Sequence, residues 1–285
     1  MESNFGATPV ALFFIFATLN FMIKSDKTKK IAEEKENKSE TIVSGQAVAA
    51  ASPNSRQDIS KELEEMFLAG VHFGYSRVSL HPKIKPYIFG LRNNVEIFDL
   101  EKTRVCLQKA KKFLEESAKE GKRILIVSTK PGIRQIIEQA AKKAEMPYVS
   151  QRWLGGTLTN FKVIKSRLDY FVELRRKKIS GELNKYTKKE ISHISKELLR
   201  LERFFNGLEK LAGLPCALLI VDPKEEKTAL REAKQMSIPV IAVLNSDCDP
   251  TNVAYPIPAN DASVSSVKYL MDQLMKDYSD TKLLH

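Results

Sequence analysis

Residues 160–211 read NFKVIKSRLDYFVELRRKKISGELNKYTKKEISHISKELLRLERFFNGLEKL, and the fold turns on this stretch. Apolar residues recur at Phe161, Ile164, Leu168, Phe171 and Leu174. They recur again at Ile191, Ile194, Leu198, Leu201, Phe205 and Leu208. Alternating steps of three and four residues put each set on one seam of a helix. Ser180, Gly181 and Asn184 between the two sets suit a turn. Thr187 stands three residues before Glu190, the signature of a capping box. Two helices joined by so short a loop pack antiparallel through their seams. At about 1.5 Å per residue the pair spans roughly 30–35 Å. A single narrow seam leaves the outer faces for solvent or a partner.

Those outer faces are basic. Residues 157–213 carry 14 Lys and Arg against 7 Asp and Glu, a net +7 out of +11 for the chain. The run Arg175-Arg176-Lys177-Lys178 closes the first helix, where cations also favour the helix dipole. The charge is uneven elsewhere: residues 57–156 carry net +6 and residues 214–285 net −3. A pI near 9.4 points to nucleic acid or an anionic surface. An arm of this shape suits folded RNA, because Lys and Arg on it can contact phosphates and release counterions. The chain shows no aromatic-rich strand motif for stacking single-stranded bases.

Around the pair, β-α alternation appears on both sides. A short amphipathic helix is expected at 59–68, and a β-hairpin at 85–98 turning through Asn93-Asn94, which tolerate positive φ. Helices are expected at 100–119, 131–144, 225–236 and 263–275, with apolar strands at 123–127, 217–221 and 240–244. Repeated units of this kind imply an α/β domain, a mostly parallel sheet with helices on both faces, into which the pair is inserted.

The chemistry-bearing motifs are weak. Ser128-Thr129-Lys130-Pro131-Gly132 joins a strand to a helix, where amides can hold an anion. Neither the dinucleotide glycine pattern nor a Walker pattern is present. Asp247-Cys248-Asp249 follows a strand end, but no base is assigned to it from His72, His81 or His193, and flanking carboxylates oppose thiol activation. Cys106, Cys216 and Cys248 match no metal spacing and no disulfide framework. No catalytic residue, metal ligand or cofactor is assigned.

Residues 1–23 form an apolar N-terminal segment, followed by Lys24, Lys27, Lys29 and Lys30. It reads as a membrane anchor or as a mis-assigned start, with translation beginning at Met22. Residues 24–58 read as a disordered linker. The remaining divisions are 59–159 and 214–279 for the α/β domain, 160–213 for the inserted hairpin and 280–285 for a tail.

Several ordered runs converge on one family. They are Gly70-Val71-His72-Phe73-Gly74, His81-Pro82-Lys83-Ile84-Lys85-Pro86-Tyr87-Ile88-Phe89-Gly90, Arg152-Trp153-Leu154-Gly155-Gly156-Thr157-Leu158-Thr159-Asn160-Phe161, Cys248-Asp249-Pro250, and Tyr255-Pro256-Ile257-Pro258-Ala259-Asn260-Asp261. Together they resemble the bacterial-type ribosomal small-subunit protein two family, also found in organelles, over residues 57–279. The resemblance implies a flavodoxin-like (Rossmann-like) domain with an inserted antiparallel coiled-coil hairpin. It also implies a structural, non-enzymatic protein at the small-subunit surface near the head-body junction. Partners would be small-subunit ribosomal RNA and other small-subunit proteins, including ribosomal protein one. Location would be the cytoplasmic small subunit, with an organellar ribosome or a membrane tether left open. Tyr75, Leu80, Ser150 and Asn245-Ser246-Asp247 depart from the commonest family pattern.

On this reading the candidate phosphate contacts are Lys83, Lys85, Arg152, Lys162, Lys165, Arg175, Arg176, Lys177 and Lys178. Trp153 is expected as a buried aromatic at the base of the pair, and Gly155 and Gly156 as the sharp turn into it. The alternative is a nucleotide- or sugar-binding enzyme that uses the carboxyl edge of the sheet.

Overall fold

Ile124-Leu125-Ile126-Val127, Ala217–Val221 and Val240–Leu244 are continuous apolar runs, and all three are central strands buried on both faces. The structure is a computed structural model that describes residues 53–283, apart from Tyr186 and Ala212. The apolar segment 1–23 and most of the expected linker lie outside the described residues. Among the described residues no helix is long and apolar enough to cross a membrane.

The described residues begin with α1 (Pro53–Leu68), which starts six residues before the expected 59. β1 (Phe73–Ser76), β2 (Ile88–Arg92) and β3 (Val95–Phe98) form an antiparallel sheet in the order β1-β3-β2. Asn93 and Asn94 turn the β2–β3 hairpin with φ of 49° and 63°, as their tolerance of positive φ leads one to expect. The main sheet follows: α2 (Leu100–Lys119), β4 (Ile124–Val127), α3 (Arg134–Lys143) and β5 (Tyr148–Val149). Next come α4 (Phe161–Ile179) and α5 (Lys188–Phe205), then β6 (Ala217–Val221), α6 (Lys227–Gln235), β7 (Val240–Leu244), β8 (Tyr255–Pro258) and α7 (Val264–Leu283). The five strands are all parallel, in the order β5-β4-β6-β7-β8. This is the flavodoxin-type order, with its switch point between β4 and β6.

Strand periodicity divides the core in two. Ile124, Ile126, Leu219, Val221, Ile241 and Val243 face α2, α3 and α7. Leu125, Val127, Leu218, Ile220, Ala242 and Leu244 face the opposite way, into a cluster with Ala229 and Ala233 of α6 and with the seams of α4 and α5. Helices thus cover both faces, which is what a fully apolar parallel strand requires. β8 carries Pro256 and Pro258 and lies at the sheet edge, where a missing N–H costs no ladder bond.

Along α4 and α5 the expected seam positions are buried in part, with Phe161, Ile191, Ile194 and Leu201 half-buried. Ile164, Leu168, Phe171 and Leu174 of α4 are buried, as are Leu198 and Phe205 of α5. The Phe171 and Phe205 rings lie 6.5 Å apart. Thr187 and Glu190 complete the capping box: Thr187 N donates to Glu190 Oε2 at 2.9 Å, and Glu190 N to Thr187 Oγ1 at 3.4 Å. With 19 residues α4 is about 28 Å long.

Candidate nucleic-acid interface

The segment that launches α4 is fixed by a residue far away in sequence. Glu232 sits on the inward face of α6, three residues after buried Ala229 and one before buried Ala233. Its carboxylate accepts from Trp153 Nε1 at 3.0 Å, Gly156 N at 2.8 Å and Leu158 N at 3.0 Å. Thr159 adds its N and Oγ1, each at 3.3 Å. Burial works to raise the Glu232 pKa, but these donors outweigh it and hold it below the usual glutamate value. Trp153 is buried, as expected for an aromatic at the base of the pair. Of the two glycines, only Gly156 needs its freedom, with φ of 89°. Gly155 has an ordinary φ and open space where a Cβ would stand, so the turn falls on one glycine rather than two.

The return foot is set by close approach. A Cβ on Gly207 would lie 2.2 Å from the Tyr148 carbonyl oxygen on edge strand β5. Arg123 Nη1 donates to the Lys210 carbonyl, and Arg175 Nη1 pairs with Glu209 at 2.5 Å.

Eight of the nine candidate cations are exposed, and Lys177 is half-buried. Three are neutralised within the chain: Arg175 by Glu209, Lys177 by Glu173 at 2.6 Å and Lys83 by Asp249 at 3.0 Å. Lys85, Arg152, Lys162, Lys165, Arg176 and Lys178 make no ion pair among the described residues. At about 100° per residue, Lys162, Lys165 and Arg176 share one side of α4, facing away from its seam, whereas Lys178 falls elsewhere. Arg152 lies on the launching segment. Lys83 and Lys85 occupy a separate 3₁₀ segment, Pro82–Tyr87, which packs on Pro250–Asn252. The structure therefore groups the candidates along α4 and does not join Lys83 and Lys85 to them.

The carboxyl edge of the sheet, where a ligand would bind in an enzyme of this fold, is closed by the chain's own charges. Lys130 Nζ meets Asp222 at 2.9 Å, Asp261 at 3.2 Å and the Tyr75 hydroxyl at 3.1 Å. Burial opposes the Lys130 charge, but Asp261 and Asp222 overcome it and raise its pKa. Asn245 Nδ2 donates to Asp261 Oδ1 at 2.6 Å, and Tyr75 N to Ser246 Oγ at 2.8 Å. The family departures Tyr75, Asn245 and Ser246 thus meet in one cluster, with Asn245 and Ser246 buried and Tyr75 half-buried. Ser150, another departure, donates to Glu138 at 2.7 Å.

The amide of Thr129, in the loop read as an anion cradle, already donates to Glu226 Oε1 at 2.7 Å. Cys248 is buried, and its thiol is pushed up to about 12 by burial and by Asp247 and Asp222. Its thiol donates to Asp247 Oδ1 at 3.5 Å, a carboxylate much less basic than a thiolate, and no histidine or lysine bonds it among the described residues. A hollow of about 400 Å³ lies instead at the amino-terminal end of the sheet, beside Arg123, Pro147 and Tyr278. Sequence reasoning missed Glu232 and the Lys130 cluster. For Glu232 the usable signal was an acid on the apolar face of a helix, which demands buried donors.

The fold and the site define an α/β protein with a flavodoxin-type parallel sheet and an exposed basic helix pair. Comparison with known proteins specifies the class. Residues 66–280 match the family model described as Ribosomal protein S2. Similar relatives include the small ribosomal subunit protein uS2 of Dictyoglomus thermophilum, 45% identical over 212 residues that cover 74% of this chain and 86% of that protein. The uS2 of Dictyoglomus turgidum is 44% identical and that of Dehalococcoides mccartyi (strain ATCC BAA-2266) 40%, each with the same coverage. The chain belongs to the ribosomal protein S2 family, whose members are structural ribosomal proteins and not enzymes.

Proposed function

We propose that this protein is built into the small ribosomal subunit as a structural constituent, bound to small-subunit ribosomal RNA and to neighbouring ribosomal proteins. Ribosomal protein one is among those neighbours where it is present. The observation that carries the reading is family membership across residues 66–280. In this reading residues 160–213 form an inserted antiparallel coiled-coil hairpin. Support comes from the buried seam at Leu168, Phe171, Leu198 and Phe205 and from the capping box that starts the second helix.

The nine candidate cations divide by their intramolecular partners. Lys162, Lys165 and Arg176 form the RNA-facing set; Arg152, Lys85 and Lys178 are exposed cations outside that set. Arg175, Lys177 and Lys83 contribute less, because each must first leave a carboxylate. The test replaces Lys162, Lys165 and Arg176 together with Gln and measures affinity for small subunits that lack this protein, at several salt concentrations. The plot of log K against log salt is expected to flatten by about 2 to 3, near 0.7–0.9 per lost phosphate contact. A slope equal to the unsubstituted protein's would mean that this face is only solvated. Gln at Arg175 and Lys177 is the comparison, with a smaller expected change.

A further inference from the structure

The entry into α4 has no ordinary cap: Asn160 precedes the helix and its side chain makes no capping hydrogen bond. Beside the packing of its seam on the sheet, the start of the helix is therefore set by the segment before it. That segment is held at Trp153, Gly156, Leu158 and Thr159 by one carboxylate 73 to 79 residues further along the chain. Five donors are spread over seven residues, and three non-collinear contacts already fix a body in position and orientation. All five are neutral N–H or O–H groups, so the carboxylate is held by directional bonds and not by an ion pair that could slide. Its carrier, α6, is itself anchored on the sheet through Ala229 and Ala233, both fully buried.

We infer that Glu232 is a positioning residue that sets the direction in which the α4–α5 pair leaves the sheet, and so aims its basic face at RNA. The inference rests on the RNA-docking reading above. Glu232 touches no RNA in this role, and its effect passes through the loop at 153–159. A carboxylate supplies two acceptor oxygens to that loop. A glutamine supplies one, and turns an NH2 towards donors that cannot accept it.

The test is Glu232→Gln in the full chain, followed by two measurements. In hydrogen exchange, the amides of Gly156, Leu158 and Thr159 are expected to exchange at least about tenfold faster, while those of β6 and β7 keep their protection. In binding to small subunits lacking this protein, affinity is expected to fall about tenfold with an unchanged salt slope, since every cation is retained and only preorganisation is lost. Faster loop exchange with unaltered affinity would overturn the inference, as would unaltered loop exchange. Faster exchange throughout β6 and β7 would overturn it too, by showing general destabilisation in place of positioning. Wild-type protein that binds no small subunits at any salt would instead overturn the docking reading and remove the purpose assigned to Glu232.

Discussion

Lys130 is the residue on which the sealed edge depends. Two carboxylates that are almost fully buried, Asp222 and Asp261, converge on its ammonium. Removing one member of such a group leaves the others uncompensated. Lys130→Met is expected to destabilise the fold by about 3 kcal/mol in urea unfolding, and adding Asp261→Asn should restore part of the loss. Cys248 gives a second check: with its thiol pushed up to about 12, it should resist iodoacetamide at pH 8 in the native protein and react only after denaturation. Glu232 gives a third. Its folded pKa is depressed, so its contribution to stability is complete above the ordinary value of 4.5 and is lost as pH falls through the folded value. Wild type should therefore lose stability below pH 4.5 more steeply than Glu232→Gln, as followed by thermal melts across pH. Of these three roles only that of Cys248 was legible in the sequence, from the carboxylates that flank it. Lys130 and Asp261 were visible inside motifs, but a buried ion cluster joins residues from four separate loops, and no local pattern encodes that meeting.

At the scale of elements, the helix pair and its feet show what sequence spacing can and cannot convey. The seam positions and the capping box were readable because helical periodicity and cap chemistry are local. The three buried strands β4, β6 and β7 were readable because a two-sided strand is apolar throughout. β5 went unread because two residues carry no period, and β8 because prolines argue against a strand until its edge position is known. β1 went unread because its Phe73-Gly74-Tyr75-Ser76 has no clean alternation. The feet were half readable. The Gly155-Gly156 pair announced a turn, but the glycine that matters at the return foot is Gly207, whose constraint is a neighbouring strand. Gly207→Ala is expected to cost about 3 kcal/mol or to displace the foot, since the obstructing atom is the Tyr148 backbone carbonyl. Gly155→Ala should be close to neutral. Paired urea titrations compare the two directly.

For the whole molecule, charge and topology divide the work. The sheet spends its ionisable groups inward: Lys130 on Asp222 and Asp261, Glu226 on Thr129, and Glu232 on the loop at 153–159. The helix pair keeps its charge outward, with Lys162, Lys165 and Arg176 on one side of α4 and in no ion pair within 4 Å among the described residues. Net charge in the sequence located the basic region and sorted the chain towards polyanions. It could not separate cations already neutralised by Glu209, Glu173 and Asp249 from those left free, because such pairing is a property of the folded chain. Family membership supports the proposal that this basic surface faces ribosomal RNA. The most direct measurement is gradient sedimentation of the full-length protein with small subunits lacking their own copy, at moderate and at high salt. Co-migration at moderate salt, reduced by the Lys162, Lys165 and Arg176 triple substitution to Gln, is the expected result. Wild-type protein that stays at the top of the gradient at every salt concentration would contradict the account.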